Sequence, residues 1–586
     1  MIRNRGRFTS LIIQGCQEKG RIERSKIIAL TLLACSTFVV GVRDCRAATW
    51  EYGFCDGFKE ATGAGDNVTR TPNSFLGIPA PFNPSIERVN IGSGAEAIQA
   101  CNKALADLSP SYLVRRVSLL RARAAHKIEA NDIEGAISDL DAADAVGKTV
   151  SDPFFDRSFK LGVSLVRAFA LGAKGDLTTA TSEAASAHDL RPYSPEIARA
   201  AVLASGEQLG DPVALRLQRD MAKLWPEMIN DLFLNSLRSG DYSEALKLYP
   251  QLTPPQKPMD GFYDDMSELE HDLENKRLAQ AFWATMTGAV AYVCASQKQP
   301  EVARQYIASA AARLKAATQD PPPLPPNANH DAERRRTLSI NYSVRMNAEI
   351  SPLISQWRDA VEQRLKIAQD GGETYLNQSN GKFGMRDWMG LDVLNALTAG
   401  HAERRELVTQ AAALKRDLEK PRFGSREVKA LLESLPDAET PERRPAYRQA
   451  GKNLLIQRVV EDALGYQDIG PDPNGVRTVR MRGNSSTAPI LEEMALLRAA
   501  ELVRASGGRG FIILGRRITQ FKTVTRQYGR IVRVDNMGYS AAFDILPVDP
   551  SALPRPYNES PWRVIDPEQV YEALAPIYIQ TRSAAK

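Results

Sequence analysis

Three stretches of this chain repeat one punctuation: "RARAAHKIEANDIEGAISDLDAADAV", "VRAFALGAKGDLTTATSEAASAHDLRP" and "LFLNSLRSGDYSEALKLYPQL". In each, an Asn-Asp or Gly-Asp step ends an apolar helical run, and an Ala stands four residues after the Asp. The Asn or Gly supplies a left-handed backbone, the Asp caps the next helix, and the small residue lets paired helices approach closely. A unit of this kind buries its apolar face only on its neighbours. The pattern therefore constrains the chain to a row of helix pairs.

This arrangement resembles the tetratricopeptide repeat. In the second stretch Ala168 takes the small position of the first helix, Gly175-Asp176 the turn, Ala180 and Ala187 the small positions of the second helix, and Pro192 the closing proline. The first offers Ala124, Asn131-Asp132, Ala136 and Ala143; the third offers Gly240-Asp241 and Ala245, with Phe233 where a small residue is expected. The aligned alanines Ala97, Ala136, Ala180, Ala245 and Ala303 are 39, 44, 65 and 58 residues apart. Against a family period of about 34 residues, the resemblance implies degenerate units with insertions.

These readings divide the chain as follows: 1–47 a signal peptide or membrane anchor, 48–93 an N-terminal loop segment, and 94–320 TPR-like helical repeats. The proline-rich "PPPLPPNANH" at 321–330 cannot be helical, because consecutive prolines lack donors and force extended geometry. Helical patterning resumes over 331–434, "LPDAETPERRPA" at 435–446 reads as a linker, and 447–586 as a small α/β domain. The expected fold class is mainly α: a TPR-like helical solenoid, further helices, and that C-terminal domain.

The leader sets the compartment. Residues 1–47 hold nine Lys/Arg against Glu18, Glu23 and Asp44, so the net charge of +5 leaves the remainder of the chain at −1. Basic residues precede an uncharged run from Ile27 to Val42, and the small-residue site Cys45-Arg46-Ala47 follows it. This is the layout of a secretory signal. Retention as a membrane anchor, or lipidation at Cys35 in "LLAC", are the alternatives. Each places the body in the periplasm or cell envelope. An oxidising compartment favours pairing Cys55 with Cys101; the alternative is that Cys101 and Cys294 are simply buried small hydrophobes.

From Tyr447 the order reads helix ("YRQAGKNLLIQRVVEDALGY"), strand ("VRTVRMRG"), helix from Leu491 to about Ser506, then strands "GFIILGRRI", "GRIVRVD" and "GYSAAFDILPV", and a last helix from Pro567 to about Ala575. Alternation puts Val479 and Met481 on one face of their strand, with Thr478, Arg480 and Arg482 on the wet one. The segment resembles the core of a family of small bacterial envelope lipoproteins without assigned function. Gly465-Tyr466, Gly483-Asn484 with Thr487, Leu497-Arg498-Ala499-Ala500-Glu501-Leu502 and Phe511 carry the likeness. It implies a compartment and a fold, but no chemistry.

Enzymatic signatures are missing from the sequence. The five histidines form no HExxH or Cys/His spacing, there is no GxSxG, and "GGRG" at 507–510 reads as a helix-ending turn. Asp264, Glu268, His271 and Asp272 share a helical face, which reads as solvated acid rather than a metal site. No catalytic residue, metal or cofactor is expected. One electrostatic feature stands out: between Val476 and Arg533 twelve Lys/Arg face three Glu. Arg477, Arg480, Arg482, Arg516, Arg517 and Lys522 are the candidate contacts for an anionic membrane surface or an acidic polymer, nucleic acid not being expected outside the cytoplasm. The expected function is a non-enzymatic envelope scaffold or adaptor that binds a protein or peptide through the repeats. The alternative is an enzyme or glycan-binding protein with its site at the junction of the helical and C-terminal parts.

Overall fold

The computed structural model describes residues 50–57, 91–151, 155–257, 265–372, 374, 387–435, 447–450, 464–483, 486–527 and 530–579. The leader and nearly all of the 435–446 linker lie outside them. Over the described residues the chain is mainly helical, with one four-stranded antiparallel sheet near the C-terminus.

The first helix, α1 at 50–56, is fastened to α2 (Gly94–Asp107) and α3 (Leu113–Glu129). Cys55 and Cys101 form the expected disulfide, with Cα atoms 4.9 Å apart, and Cys294 is the free, buried cysteine among the described residues. Beside the disulfide, Arg115 Nη2 donates to Asp56 Oδ1 at 3.0 Å and Ser118 Oγ donates to Asp56 Oδ2 at 2.8 Å. His126 Nε2 lies 2.7 Å from the Cys55 carbonyl oxygen. A buried ion pair is tolerable when its remaining lone pairs are also satisfied, and here the serine helps to do that.

Next come α4 (Ile133–Gly147), α5 (Leu161–Lys174), α6 (Leu177–Asp189), α7 (Pro195–Ala204), α8 (Pro212–Leu224), α9 (Ile229–Ser239) and α10 (Tyr242–Leu248). The repeated punctuation does what its chemistry requires. Asn131, Gly175 and Gly240 have φ of 62°, 101° and 77°, the left-handed conformation that reverses the chain. The carboxylates of Asp132, Asp176 and Asp241 then accept from the backbone N–H of Gly135, Thr179 and Glu244 at 3.0, 3.2 and 3.0 Å. Ala124, Ala136, Ala168, Ala180 and Ala245 are all fully buried between helices, as is Phe233 at its bulky exception.

A fourth capped pair, not anticipated from sequence, fills the 65-residue gap between Ala180 and Ala245. Gly210 has φ of 81°, and Asp211 accepts from the N–H groups of Val213 and Ala214 at 2.9 and 2.8 Å. Ala214 is fully buried. It follows Ala180 by 34 residues and precedes Ala245 by 31.

Three long helices follow: α11 (Asp265–Ser296), α12 (Pro300–Ala317) and α13 (His330–Asp370). The proline run separates α12 from α13 as expected, and Asn329 caps α13 by accepting from Ala332 N at 2.9 Å. By length and composition α11 could cross a membrane, but 61% of its apolar window is buried, and it packs against α12 and α13. The chain continues through α14 (Trp388–Thr398), α15 (Arg405–Glu419) and α16 (Ser425–Ser434). Here the expected division at 321–330 gives way. Val428, Leu431 and Leu432 of α16, with Leu435 just after it, join the core that holds Ala168 and Ala201. Phe423 meets Phe169 edge-on at 5.0 Å and lies where a Cβ on Gly172 would be 2.2 Å from its ring, so that glycine is what admits the returning chain.

The sheet has the order β1-β2-β4-β3, from β1 (Gly465–Ile469), β2 (Arg477–Gly483), β3 (Gly510–Gln527) and β4 (Arg530–Val548). The end of the segment read as a helix from Tyr447 is strand β1. The two segments read as separate strands after Gly529 lie within the single β4. Helices α17 (Ala488–Ala505) and α18 (Pro567–Tyr578) pack on each other, and α17 covers β2 and β4. Val479 and Met481 are fully buried and Thr478, Arg480 and Arg482 are not, as alternation predicts.

Candidate functional site

The C-terminal unit does not close on itself. Helix α17 is buried along one side by the sheet and along the other by the helical part, and the adjacent Glu492 and Glu493 on it are fully enclosed. Glu493 takes both its charge partners from the helical part. Arg191, in the turn after α6, donates from Nε to Oε1 at 2.7 Å and from Nη2 to Oε2 at 3.1 Å, and Arg157 Nη2 donates to Oε2 at 2.7 Å. Tyr578 OH of α18 completes the set. Burial alone would raise the Glu493 pKa, but the two guanidiniums more than offset it and hold the carboxyl at about 2.

Among the described residues Glu492 has one cation, Arg516 of β3, which it shares with Glu196 in the first turn of α7; Arg516 Nη2 donates to Glu196 Oε1 at 3.0 Å. Its Oε2 has no hydrogen-bond partner among the described residues. Desolvation therefore wins, and the Glu492 carboxyl is pushed up to about 7. Nearby, the Arg516 guanidinium lies 3.9 Å from the centroid of Trp225, which follows α8. Arg563 donates to Ile513 O at 2.8 Å and Gln251 Oε1 at 3.2 Å, without a carboxylate in reach among the described residues; burial lowers its pKa to about 10. Leu224 of α8 belongs to the same apolar core as Val479, Phe511 and Leu574.

The predicted basic contacts separate into groups. Arg516 is a correction: its side chain is 9% exposed and turned to the α17 face, so it holds the junction instead of meeting a partner. Arg517, its neighbour, points to the opposite face and donates to Asp544 Oδ1 at 2.8 Å. Strand alternation alone would have separated the two. Arg480 and Arg517 both flank Ala542 of β4, in register across the outer face. The Arg482 guanidinium lies 4.1 Å from the Phe521 centroid, and Arg477 is half-buried opposite Ile545. Lys522 pairs through its backbone with Asn536, and its side chain lies outside the described residues.

Sequence reading missed one concavity of the helical part. A cleft of about 590 Å³ lies between α11, α12 and α13. Lys276 and Arg313 stand on its walls with Gln280, Gln319, Tyr342 and Ser343, over Leu273 and Met346. The Arg313 guanidinium rests 4.7 Å from the Trp283 centroid. No acidic side chain is among the residues that line this space, and Glu274 and Glu349 are bound by Arg277 at 2.7 and 2.6 Å. A heptad-like spacing of polar residues on α13 was the available signal, and it reads equally well as a solvated face.

The acidic helix face offers no ligand set. His271 Nε2 is 3.0 Å from Asn275 Nδ2, Asp264 lies outside the described residues, and no group of three metal-ligating side chains is found among those described. Comparison with family models, with curated proteins and with solved structures returns no match to this chain.

Proposed function

We propose that this protein is a non-enzymatic scaffold or adaptor of the cell envelope, exported by its leader, in which TPR-like helix pairs hold a protein or peptide partner. The observation that carries this reading is the cleft walled by faces of three consecutive helices. Helix arrays bind through just such adjacent faces, by many modest contacts. The four capped turns support reading the helical part as a degenerate repeat array, and the disulfide suits an oxidising compartment. The ion pairs at the junction support a rigid scaffold, since they fix the sheet unit to the helices. Its outer face, with Arg480 and Arg482, and Arg477 at the starting edge of β2, is the proposed second contact, towards an anionic surface. The alternative of a junction active site would need Glu492 or Glu493 opened to solvent, and both are enclosed.

The test is a photo-crosslinking residue placed in living cells at Ser343, inside the cleft, and at Val408, an exposed position on α15. A discrete crosslinked protein at Ser343 and none at Val408 is expected. Absence of any product at Ser343 would count against an adaptor using this surface.

A further inference from the structure

We propose that the α11–α12–α13 cleft takes an extended peptide segment bearing acidic side chains; this rests on the adaptor reading and specifies its partner. Charge decides the ligand class. Lys276 and Arg313 face the cleft from α11 and α12 without an ion-pair partner among the described residues, and no carboxylate is among the residues that line it. Arg277 binds Glu274 and Glu349, and Arg345 Nε also donates to Glu349 at 3.0 Å. The result is a local positive field on a chain whose body is otherwise near neutral. A field of that kind attracts and orients a negative partner.

Shape decides the form. From Ser339 to Met346 the α13 wall runs seven residues, about 10 Å at the helical rise, which matches about three residues of extended chain. The polar lining suits a backbone as well as a side chain. The side chains of Gln280, Gln319, Tyr342 and Ser343 have no hydrogen-bond partner within the described protein, so their donors and acceptors are available to a peptide's N–H and C=O groups. Leu273 and Met346, both buried, form an apolar floor for one aliphatic side chain. Arg313 is pre-oriented by its stacking on Trp283, which lessens the ordering cost of binding a carboxylate. Pro321, at the start of the proline run, also lines the cleft.

The probe is an array of capped peptides in which three central positions vary among Asp, Asn, Lys and Leu within a Gly/Ser background, read with the full chain and then in solution by fluorescence anisotropy. Peptides with Asp are expected to bind, to weaken as salt rises, and to lose about tenfold or more in affinity in a Lys276→Glu, Arg313→Glu variant. Lys276→Arg should retain binding, and Arg416→Glu, on the exposed face of α15, should not change it. All these positions are exposed, so folding is checked by an unchanged melting profile. Equal binding of Asp and Asn peptides, or a double variant that binds as well as the parent, overturns the proposal. The same double variant carrying the Ser343 crosslinker separates the two ideas. A crosslink that persists with the charges reversed overturns the acidic peptide but leaves the adaptor standing; loss of the crosslink supports the acidic peptide. No crosslink even in the parent overturns both.

Discussion

Glu493 Oε1 accepts a hydrogen bond from Arg191 Nε at 2.7 Å across a sequence separation of 302 residues, and this contact ties the sheet unit to the helices. Both side chains are almost completely withdrawn from water. A self-contained domain from 447 onward would bury its own core. Instead it presents a charged helix face that is satisfied only by Arg157 and Arg191 of the helical part, and shares its apolar core with Leu224.

Removing one member of such a set leaves the others buried and unpaired. Glu493→Ala is expected to destabilise the protein by about 3–5 kcal/mol, against about 0–1 kcal/mol for Glu568→Ala, which breaks the exposed pair with Arg504. Thermal unfolding gives the magnitude. Amide exchange should show α7 and α17 losing protection together in the first variant; unchanged protection there would mean that the ion pairs do not hold the junction.

Much of the helical part was legible because its punctuation is local. A left-handed residue, a capping Asp and a small residue act within one turn, so three units could be read directly, and Asn131, Gly175 and Gly240 adopt the conformation assigned to them. The α7–α8 pair escaped because its Ala214 stands three residues after Asp211 instead of four. The junction escaped for a different reason. Glu492-Glu493 in "PILEEMALL" could be counted only as two acids on a helix, although charged neighbours amid an apolar run are a sign of burial with partners. Nothing local tells that those partners are Arg157, Arg191 and Arg516, which are hundreds of residues away or on a neighbouring strand.

The disulfide closes a separation of 46 residues. Cys55→Ser, Cys101→Ser should lower stability by up to about 4 kcal/mol on the chain-entropy model. In a protein beginning near Ala48, thiol titration of the unreduced, denatured chain should find Cys294 alone; three free thiols would show that the bond does not form.

Export is expected from the basic, apolar, small-residue order of residues 21–47. Residues 1–60 fused to a reporter active only outside the cytoplasm should give activity, and the mature N-terminus should be found near Ala48. A silent fusion would remove the envelope from the proposed function.

The two adjacent glutamates of α17 should respond to pH in opposite directions. Glu493 is held at about 2, below the ordinary 4.5, so its contribution to stability is present above pH 4.5 and is lost as pH falls towards 2. Glu492 is raised to about 7, first by burial, which its shared Arg516 only partly offsets. In the unfolded chain it loses its proton near pH 4.5, but in the folded protein it keeps it until about 7. The folded state thus binds the extra proton between these limits, and stability falls as pH rises from 4.5 to 7, by on the order of 3 kcal/mol, then levels off. Gln at position 492 cannot ionise, yet its carbonyl oxygen can still accept from Arg516 Nε. Glu492→Gln should therefore match the parent near pH 4.5 and exceed it at pH 8, with a flatter profile between. Chemical unfolding midpoints of the two proteins across that range are the measurement. Parallel profiles would mean that Glu492 ionises as readily in the fold as in water, which its enclosure between the sheet and α7 would then fail to explain.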